Sequence, residues 1–116
     1  KIARIPELDI LSTDPYWIFM HRKLDYVTEY ARKLTGVTEK YGVEPQLWIQ
    51  NFRIPEGREN EVREALAIAH AEGVRNIAAW SFYGTAYMSY IKCDNPKEVW
   101  DLLGDTYGKI RSGAWD

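Results

Sequence analysis

Three short apolar segments, each followed by a longer amphipathic one, constrain the fold of this chain more than any other feature. The apolar segments are LDILS at 8–12, LWIQNF at 47–52 and NIAAWSF at 76–82. None of them alternates cleanly between apolar and polar residues, which is typical of strands buried on both faces of a parallel sheet. We therefore predict an α/β domain in which each of three parallel strands is followed by a helix.

The segments that follow the predicted strands have helical periodicity, with apolar residues recurring at spacings of three and four. The predicted helices span 22–41, 58–72 and 96–110. Gly42 and Gly73 follow the first two, where glycine readily adopts the left-handed conformation that ends a helix. Asn95 and Pro96 are predicted to begin the third helix, as its N-cap and first helical residue.

Strand–helix–strand units connect right-handedly, so all three helices should lie on one side of the sheet. The opposite face is then left without cover from this chain, although Ile10, Trp48 and Ala79 are apolar strand residues. We expect a missing part of a barrel, or another copy of the chain, to cover that face. Residues 1–116 are accordingly expected to form one domain that is part of a larger barrel.

Composition narrows the classes of partner. A formal net charge of −2 lacks the basic excess that nucleic-acid binding requires, and no apolar run approaches the ~20 residues of a membrane span. The lone Cys93 is expected to be a small core residue, and with no metal-ligand spacing around it we expect no metal and no cofactor. A cytoplasmic location fits these features. Five Trp and eight Tyr favour either a thick core or a surface that stacks on flat ligands.

Three sequence strings carry a resemblance to a known class of enzyme. They are LDILSTDPYW at 8–17, PQLWIQNFRIPEGRENE at 45–61 and NIAAWSFYG at 76–84. Together they resemble the last three units of (β/α)8 (TIM) barrel glycoside hydrolases and their uncharacterised relatives. In such barrels the site lies at the carboxyl ends of the strands. The resemblance implies that this chain contributes part of a saccharide-binding or glycoside-hydrolysing site there.

The end of the first predicted strand supplies three candidate site residues. Asp14 precedes Pro15, and Asp-Pro commonly opens a turn. The functional alternative for Asp14 is to accept hydrogen bonds from sugar hydroxyls or to be one of a catalytic carboxylate pair. Tyr16 and Trp17 present aromatic faces on which a sugar can stack. For Trp17, packing in the core is the competing interpretation.

The ends of the other two predicted strands supply the remaining candidates. Gln50, with Asn51 beside it, needs partners for its amide because an unpaired buried polar group is costly. Those partners are either structural hydrogen bonds or sugar hydroxyls. The resemblance implies that Trp80 forms the floor of the sugar site, often with a cis peptide bond before the next residue, here Ser81. Tyr83 would stand on the rim of that site.

The pattern of carboxylates differs from that of a complete glycosidase. Hydrolysis of a glycosidic bond normally takes two carboxylates that flank the bond. The best-known barrel group has a Glu at the end of its seventh strand, but this chain has Gln50 and Asn51 there, and Glu56 only in the following loop. Asp14 is thus the only well-placed carboxylate, and the chain alone is expected to be inactive. A structural or engineered half-barrel without any ligand is the alternative hypothesis.

Overall fold

A computed structural model describes residues 5–88 and 90–114 of the chain. Strands and helices alternate along the described residues, which confirms the predicted α/β class and element order. The strands are β1 (Ile10–Thr13), β2 (Glu44–Gln50) and β3 (Asn76–Trp80). The helices are α1 (Asp25–Tyr41), α2 (Asn60–Ala71) and α3 (Pro96–Arg111), with a 3₁₀ turn at Phe82–Thr85 between β3 and α3.

The largest difference from the predicted bounds concerns β2, which was placed at 47–52. The strand begins at Glu44 because Glu44 and Pro45 pair with Ile10 and Leu11 of β1. It ends at Gln50 because the chain turns away, and Arg53 has a left-handed backbone with φ of 51°. The first strand likewise lies later than predicted, and β3 ends before the 3₁₀ turn rather than at 82.

The sheet is entirely parallel in the order β1-β2-β3. Side chains alternate between the faces of a strand, and residues paired in a parallel ladder share a face. The face that contacts the helices, here called the helix-side face, includes Leu47 and Ile49 of β2. The opposite face, here called the open face, carries Trp48 and its ladder partner Ala78. Three strands do not close a barrel, so the architecture shown is a three-stranded α/β sheet.

The prediction that Ala79 lies on the uncovered face is wrong. Ala79 pairs with Ile49 and packs against the core on the helix-side face. Alternate residues of a strand lie on opposite faces, but in a continuous apolar run every position is apolar. The run therefore does not show which of its residues face the helices. Ile10 and Trp48 do lie on the open face, and Ile10 is exposed.

One hydrophobic core fills the space between the sheet and all three helices. Its members share complete or nearly complete burial, and they include Val27, Ala31, Leu34, Leu47, Ile49, Val62, Ala65, Leu66, Ala69, Val99 and Leu103. Cys93 belongs to the same core, as predicted. No helix within residues 5–88 and 90–114 is long and apolar enough to cross a membrane.

The helix ends agree only in part with their sequence signals. Gly42 ends α1 in the left-handed conformation, with its N–H donated to the carbonyl of Thr38, as predicted. Pro96 is the first residue of α3, also as predicted. Asn95, however, does not cap α3 with its side chain. Its amide instead donates to the Glu59 carboxylate at 2.8 Å, so it joins the loops that follow β2 and β3.

Candidate functional site

A cleft of about 380 Å³ lies on the open face, at the carboxyl ends of the strands. Its lining residues come from the end of β1, the loop that follows it, and the facing positions of β2 and β3. They are Ser12, Thr13, Asp14, Tyr16, Trp48 and Trp80. The predicted convergence of strand ends is confirmed, since Gln50 pairs with Trp80 and Asp14 directly follows β1.

Two of the aromatic rings that line the cleft contact a third ring. Phe52 is buried, and its ring lies edge-on to Trp80, with centroids 5.2 Å apart. Tyr16 meets the same Phe52 ring nearly perpendicularly at 5.0 Å. Edge-to-face contacts at these distances are favourable for aromatic rings. Phe52 therefore fixes Tyr16 and Trp80 relative to each other, while 39% of Trp80 stays exposed.

Trp48 is oriented by a row of side-chain hydrogen bonds along the open face. Its indole N–H donates to Gln46 at 3.0 Å, and the Gln46 amide donates in turn to Asn76 at 3.1 Å. Asn76 donates to Glu44 at 3.4 Å. These partners lie nearer the amino ends of the strands than Trp48 does. The polar edge of the indole is thus held on that side, and the ring lines the cleft.

Asp14 and Tyr16 form the polar part of the cleft. The backbone carbonyl of Asp14 accepts a hydrogen bond from the Tyr16 N–H at 2.7 Å, which makes the tight turn that the sequence predicts. The Asp14 residue is exposed. Partial burial raises the pKa of Tyr16, and the charge of Asp14 raises it further. At neutral pH the site therefore offers a carboxylate acceptor and a hydroxyl donor side by side.

Gln50 takes the structural role rather than the ligand-binding one. It is fully buried, and its side-chain oxygen accepts hydrogen bonds from the backbone N–H groups of Ile18 and Phe19 at 3.1 and 3.2 Å. Its amide nitrogen donates to the carbonyl of Phe52 at 2.8 Å. Because these bonds occupy both ends of the amide, Gln50 fixes the loop after β1. These are the structural hydrogen bonds of the first alternative, and a contact of Gln50 with sugar hydroxyls stays a prediction.

Trp17 likewise takes the packing role. Its side chain is fully buried in the core, and its indole N–H donates to Glu61 at 2.8 Å. Hydrogen bonds from Arg58, and then from Trp17, lower the pKa of Glu61. The ring has no exposed surface, which favours packing over stacking on a ligand; a sugar contact of Trp17 stays a prediction.

Asn51 and Ser81 hold the segment that carries Trp80. Both are buried, and the peptide bond between Trp80 and Ser81 is cis, as the resemblance led us to expect. The Asn51 backbone N–H donates to the backbone carbonyl of Trp80 at 2.6 Å. The Asn51 side-chain amide donates to the backbone carbonyl of Ser81 at 2.7 Å. Asn51 Oδ1 and Ser81 Oγ are buried without a hydrogen-bond partner in the described part of the chain. Both residues lie behind the cleft rather than on its surface.

Tyr83 is not on the rim of the cleft. The 3₁₀ turn places Tyr83 and Gly84 in the left-handed region, with φ of 49° and 57°. The Tyr83 ring lies 6.0 Å from the ring of Trp100 on α3 and lines a separate groove beside the start of that helix. Periodicity cannot predict such a turn, because the non-glycine Tyr83 gives no signal for it.

The sequence analysis missed Ser12, Thr13 and Trp48 as cleft residues and Phe52 as their support. Trp48 had a usable signal: it precedes Gln50 by one full strand repeat and therefore shares its face. Ser12 is the last residue of the first predicted strand, whereas Thr13 lies beyond that prediction and belongs to β1.

Asp14 is the only acidic residue among the described residues that line the cleft. Nowhere in residues 5–88 and 90–114 do three or more His, Cys, Asp or Glu side chains lie close enough together to hold a metal ion. The residues that line the cleft offer hydrogen-bonding groups, aromatic rings and one carboxylate.

The chain matches no protein-family model, no curated protein and no solved structure with which it was compared.

Proposed function

We propose that the chain forms the last three units of a (β/α)8 barrel, and that its cleft is part of a saccharide-binding site. The parent is a glycoside hydrolase, or a relative that binds sugar without cleaving it. The parallel strand–helix order and the position of the cleft at the carboxyl ends of the strands support this proposal.

The observation that carries the proposal is the combination of side chains in one cleft. Trp48 and Trp80 present indole rings, and Asp14 and Tyr16 present an acceptor and a donor. A sugar has apolar C–H faces that stack on aromatic rings and hydroxyls that need partners of both kinds. Apolar walls with a few placed polar groups are the usual composition of a small-molecule site.

The open face supports the barrel part of the proposal. It carries half-buried Trp48, exposed Ile10 and the hydrogen-bonded pair Gln46 and Asn76. In a barrel the strand residues opposite the helices fill the interior, where side chains from the other strands cover them. We propose the remaining barrel units as that cover; a second copy of this chain is the alternative.

Asp14 has a limited catalytic role in this proposal. Two carboxylates normally flank the bond that a glycosidase cleaves, and Asp14 is the only one that the described residues bring to the cleft. In an intact barrel Asp14 acts either as one member of a pair or as an acceptor for a sugar hydroxyl. The chain alone binds without hydrolysing.

A structural half-barrel without a ligand is the second candidate. The observation that favours it is the burial of Trp17, Gln50, Asn51 and Ser81, whose hydrogen bonds to other parts of the chain serve the fold. Those bonds explain a large part of the sequence resemblance without any sugar.

The test is calorimetric titration of the chain and of Trp80→Ala with a panel of monosaccharides and oligosaccharides. We expect the variant to lose about 1–3 kcal/mol of binding free energy, the range found when a base loses its stacking partner on an aromatic ring. The control is Trp100→Ala, since Trp100 lies on α3 against Phe82 and Tyr83 and does not line the cleft.

Circular dichroism must show that both variants are folded, because truncating Trp100 also removes packing. Affinity that is kept in Trp100→Ala and lost in Trp80→Ala supports the saccharide site. Absence of binding by the unmodified chain, or equal losses in the two variants, supports the structural half-barrel instead.

A further inference from the structure

A second pocket, of about 440 Å³, lies between the loops that follow β1 and β2. Its wall is basic, because the first loop supplies Arg22 and Lys23 and the second supplies Arg53 and Arg58. The four cations are separated in sequence and are brought together only by the parallel arrangement of the strands. No acidic residue lines this pocket within the part of the chain that the structure describes.

The four cations differ in how closely a neighbouring carboxylate approaches them. Arg58 donates two hydrogen bonds to Glu61, at 2.6 and 2.8 Å. Arg22 lies 4.0 Å from Glu29. Lys23 and Arg53 are both exposed and form no ion pair with any described residue. The pocket therefore keeps an excess of positive charge.

The backbone at this pocket is unusual on both loops. His21 and Arg53, which line the pocket, have φ of 56° and 51°. Such values are uncommon for residues other than glycine, and residues held in such conformations cluster at functional sites. The Arg53 backbone is fixed by donation of its N–H to the carbonyl of Ile91 at 2.8 Å. The Arg53 guanidinium lies 5.9 Å from the centroid of the Phe19 ring, which also lines the pocket.

We propose that this basic pocket binds an anionic group, namely a phosphate, sulfate or carboxylate. Arg53 supplies a planar fork of N–H donors that matches two oxygens of such a group. Lys23 adds a second uncompensated charge. This inference stands independently of the saccharide proposal, because it rests on different residues.

The pocket and the saccharide cleft are nevertheless neighbours. Phe19 of the pocket contacts Phe52 with ring centroids 5.7 Å apart, and Phe52 contacts Trp80 of the cleft. A ligand with both a sugar ring and an acidic substituent therefore has adjacent sites for its two parts. Free anions and acidic sugars share the same chemistry at the pocket, so the experiment includes both.

The test titrates the folded chain, at low ionic strength, with inorganic phosphate, sulfate, glucuronate and glucose 6-phosphate, followed by calorimetry and amide chemical shifts. The key variant is the double substitution Lys23→Gln and Arg53→Gln, which removes both cations that have no ion-pair partner among the described residues. The control, Lys40→Gln with Lys109→Gln, removes the same charge near the carboxyl ends of α1 and α3. In strand–helix units those ends lie at the opposite edge of the sheet.

We expect binding of at least one anion, with amide shifts concentrated at 18–23 and 53–58. The key variant should bind about tenfold or more weakly, since hydrogen bonds to charged groups contribute about the free energy that a factor of ten represents. The control should retain most of the affinity. For the unmodified chain, affinity should fall as salt is raised towards ~1 M, where charges are screened beyond about 3 Å.

No binding of any of the four anions would overturn the inference, as would equal weakening in the key variant and the control. If glucose 6-phosphate binds more tightly than inorganic phosphate, and Trp80→Ala removes that extra affinity, the ligand is an acidic sugar that spans both sites. If glucose 6-phosphate and inorganic phosphate bind with equal affinity, the ligand is a free anion. The saccharide site itself is judged separately, by neutral sugars and Trp80→Ala.

Discussion

The two faces of the same three strands differ in what their side chains do. On the helix-side face, Leu47 and Ile49 are fully buried and apolar. On the open face, Gln46 and Trp48 alternate with them along β2, are half-buried, and are joined by a hydrogen bond. Adjacent residues of one strand therefore serve different purposes: those on one face stabilise the fold, and those on the other orient the cleft.

The difference has a simple physical origin. The helices pack on one face and bury its central residues Leu47 and Ile49, so these side chains contribute by leaving water and by filling space. The open face retains polar groups, and it keeps them satisfied by pairing Trp48, Gln46 and Asn76 with one another. A face built in this way holds a tryptophan ring in position without needing a dry core around it.

The strongest test of this comparison truncates two neighbouring residues of β2. We expect Ile49→Ala to lower the free energy of unfolding by about 2–5 kcal/mol, because it leaves a cavity in a closed core. Trp48→Ala removes a larger side chain but should cost only about 1 kcal/mol, because only part of its surface is withdrawn from water. Urea unfolding of the isolated chain measures both values.

Losses of equal size in the two variants would show that the faces are not energetically different. A larger loss in Trp48→Ala would mean that the open face is already covered in solution, by self-association of the chain. Sedimentation at several protein concentrations then identifies that association.

A smaller effect concerns Tyr107, which packs beneath β3 from α3. Its hydroxyl donates to the carbonyl of Ile77 at 2.8 Å, and burial raises the pKa of Tyr107 to about 12. An unfolded tyrosine loses its proton near pH 10, so above that pH the unfolded state binds fewer protons and stability falls. The contribution of Tyr107 to the free energy of unfolding is complete below about pH 10, and it is lost as the pH rises through about 12.

Tyr107→Phe is the matched variant for this titration. It should cost about 1 kcal/mol at neutral pH through the lost hydrogen bond, and its stability should decline less between about pH 10 and 12 than that of the unmodified chain. Parallel declines in the two proteins would show that Tyr107 keeps an ordinary pKa in the folded state.

The sequence predicted the order of elements because helical and strand periodicities are local properties. It also predicted that Asp14 and Trp80 converge, since alternating units bring all strand ends to one edge. It placed Trp48 on the uncovered face correctly and Ala79 there wrongly, because a continuous apolar run does not show which of its residues share a face. The partners of Gln50, the backbone of residues 18 and 19, lie in a distant loop, and no local pattern points to them.

The basic pocket escaped the sequence analysis for a related reason. Its cations come from two loops that are distant in sequence, and no local pattern brings them together. The loop geometry that adds Arg22, Lys23 and Arg58 depends on left-handed residues at His21 and Arg53. Histidine is enriched among non-glycine residues with positive φ, which gives a weak signal at His21, but arginine gives none at Arg53.

The most direct test of the central claim, that the open face carries a sugar site, uses the indole N–H signals of the tryptophans. Saccharide titrated into ¹⁵N-labelled chain should shift the signals of Trp48 and Trp80, which line the cleft. Those of Trp17, buried on Glu61, and Trp100, on α3, should stay in place. Movement of Trp17 or Trp100 while Trp48 and Trp80 stay still, or no movement with any sugar, would contradict the account.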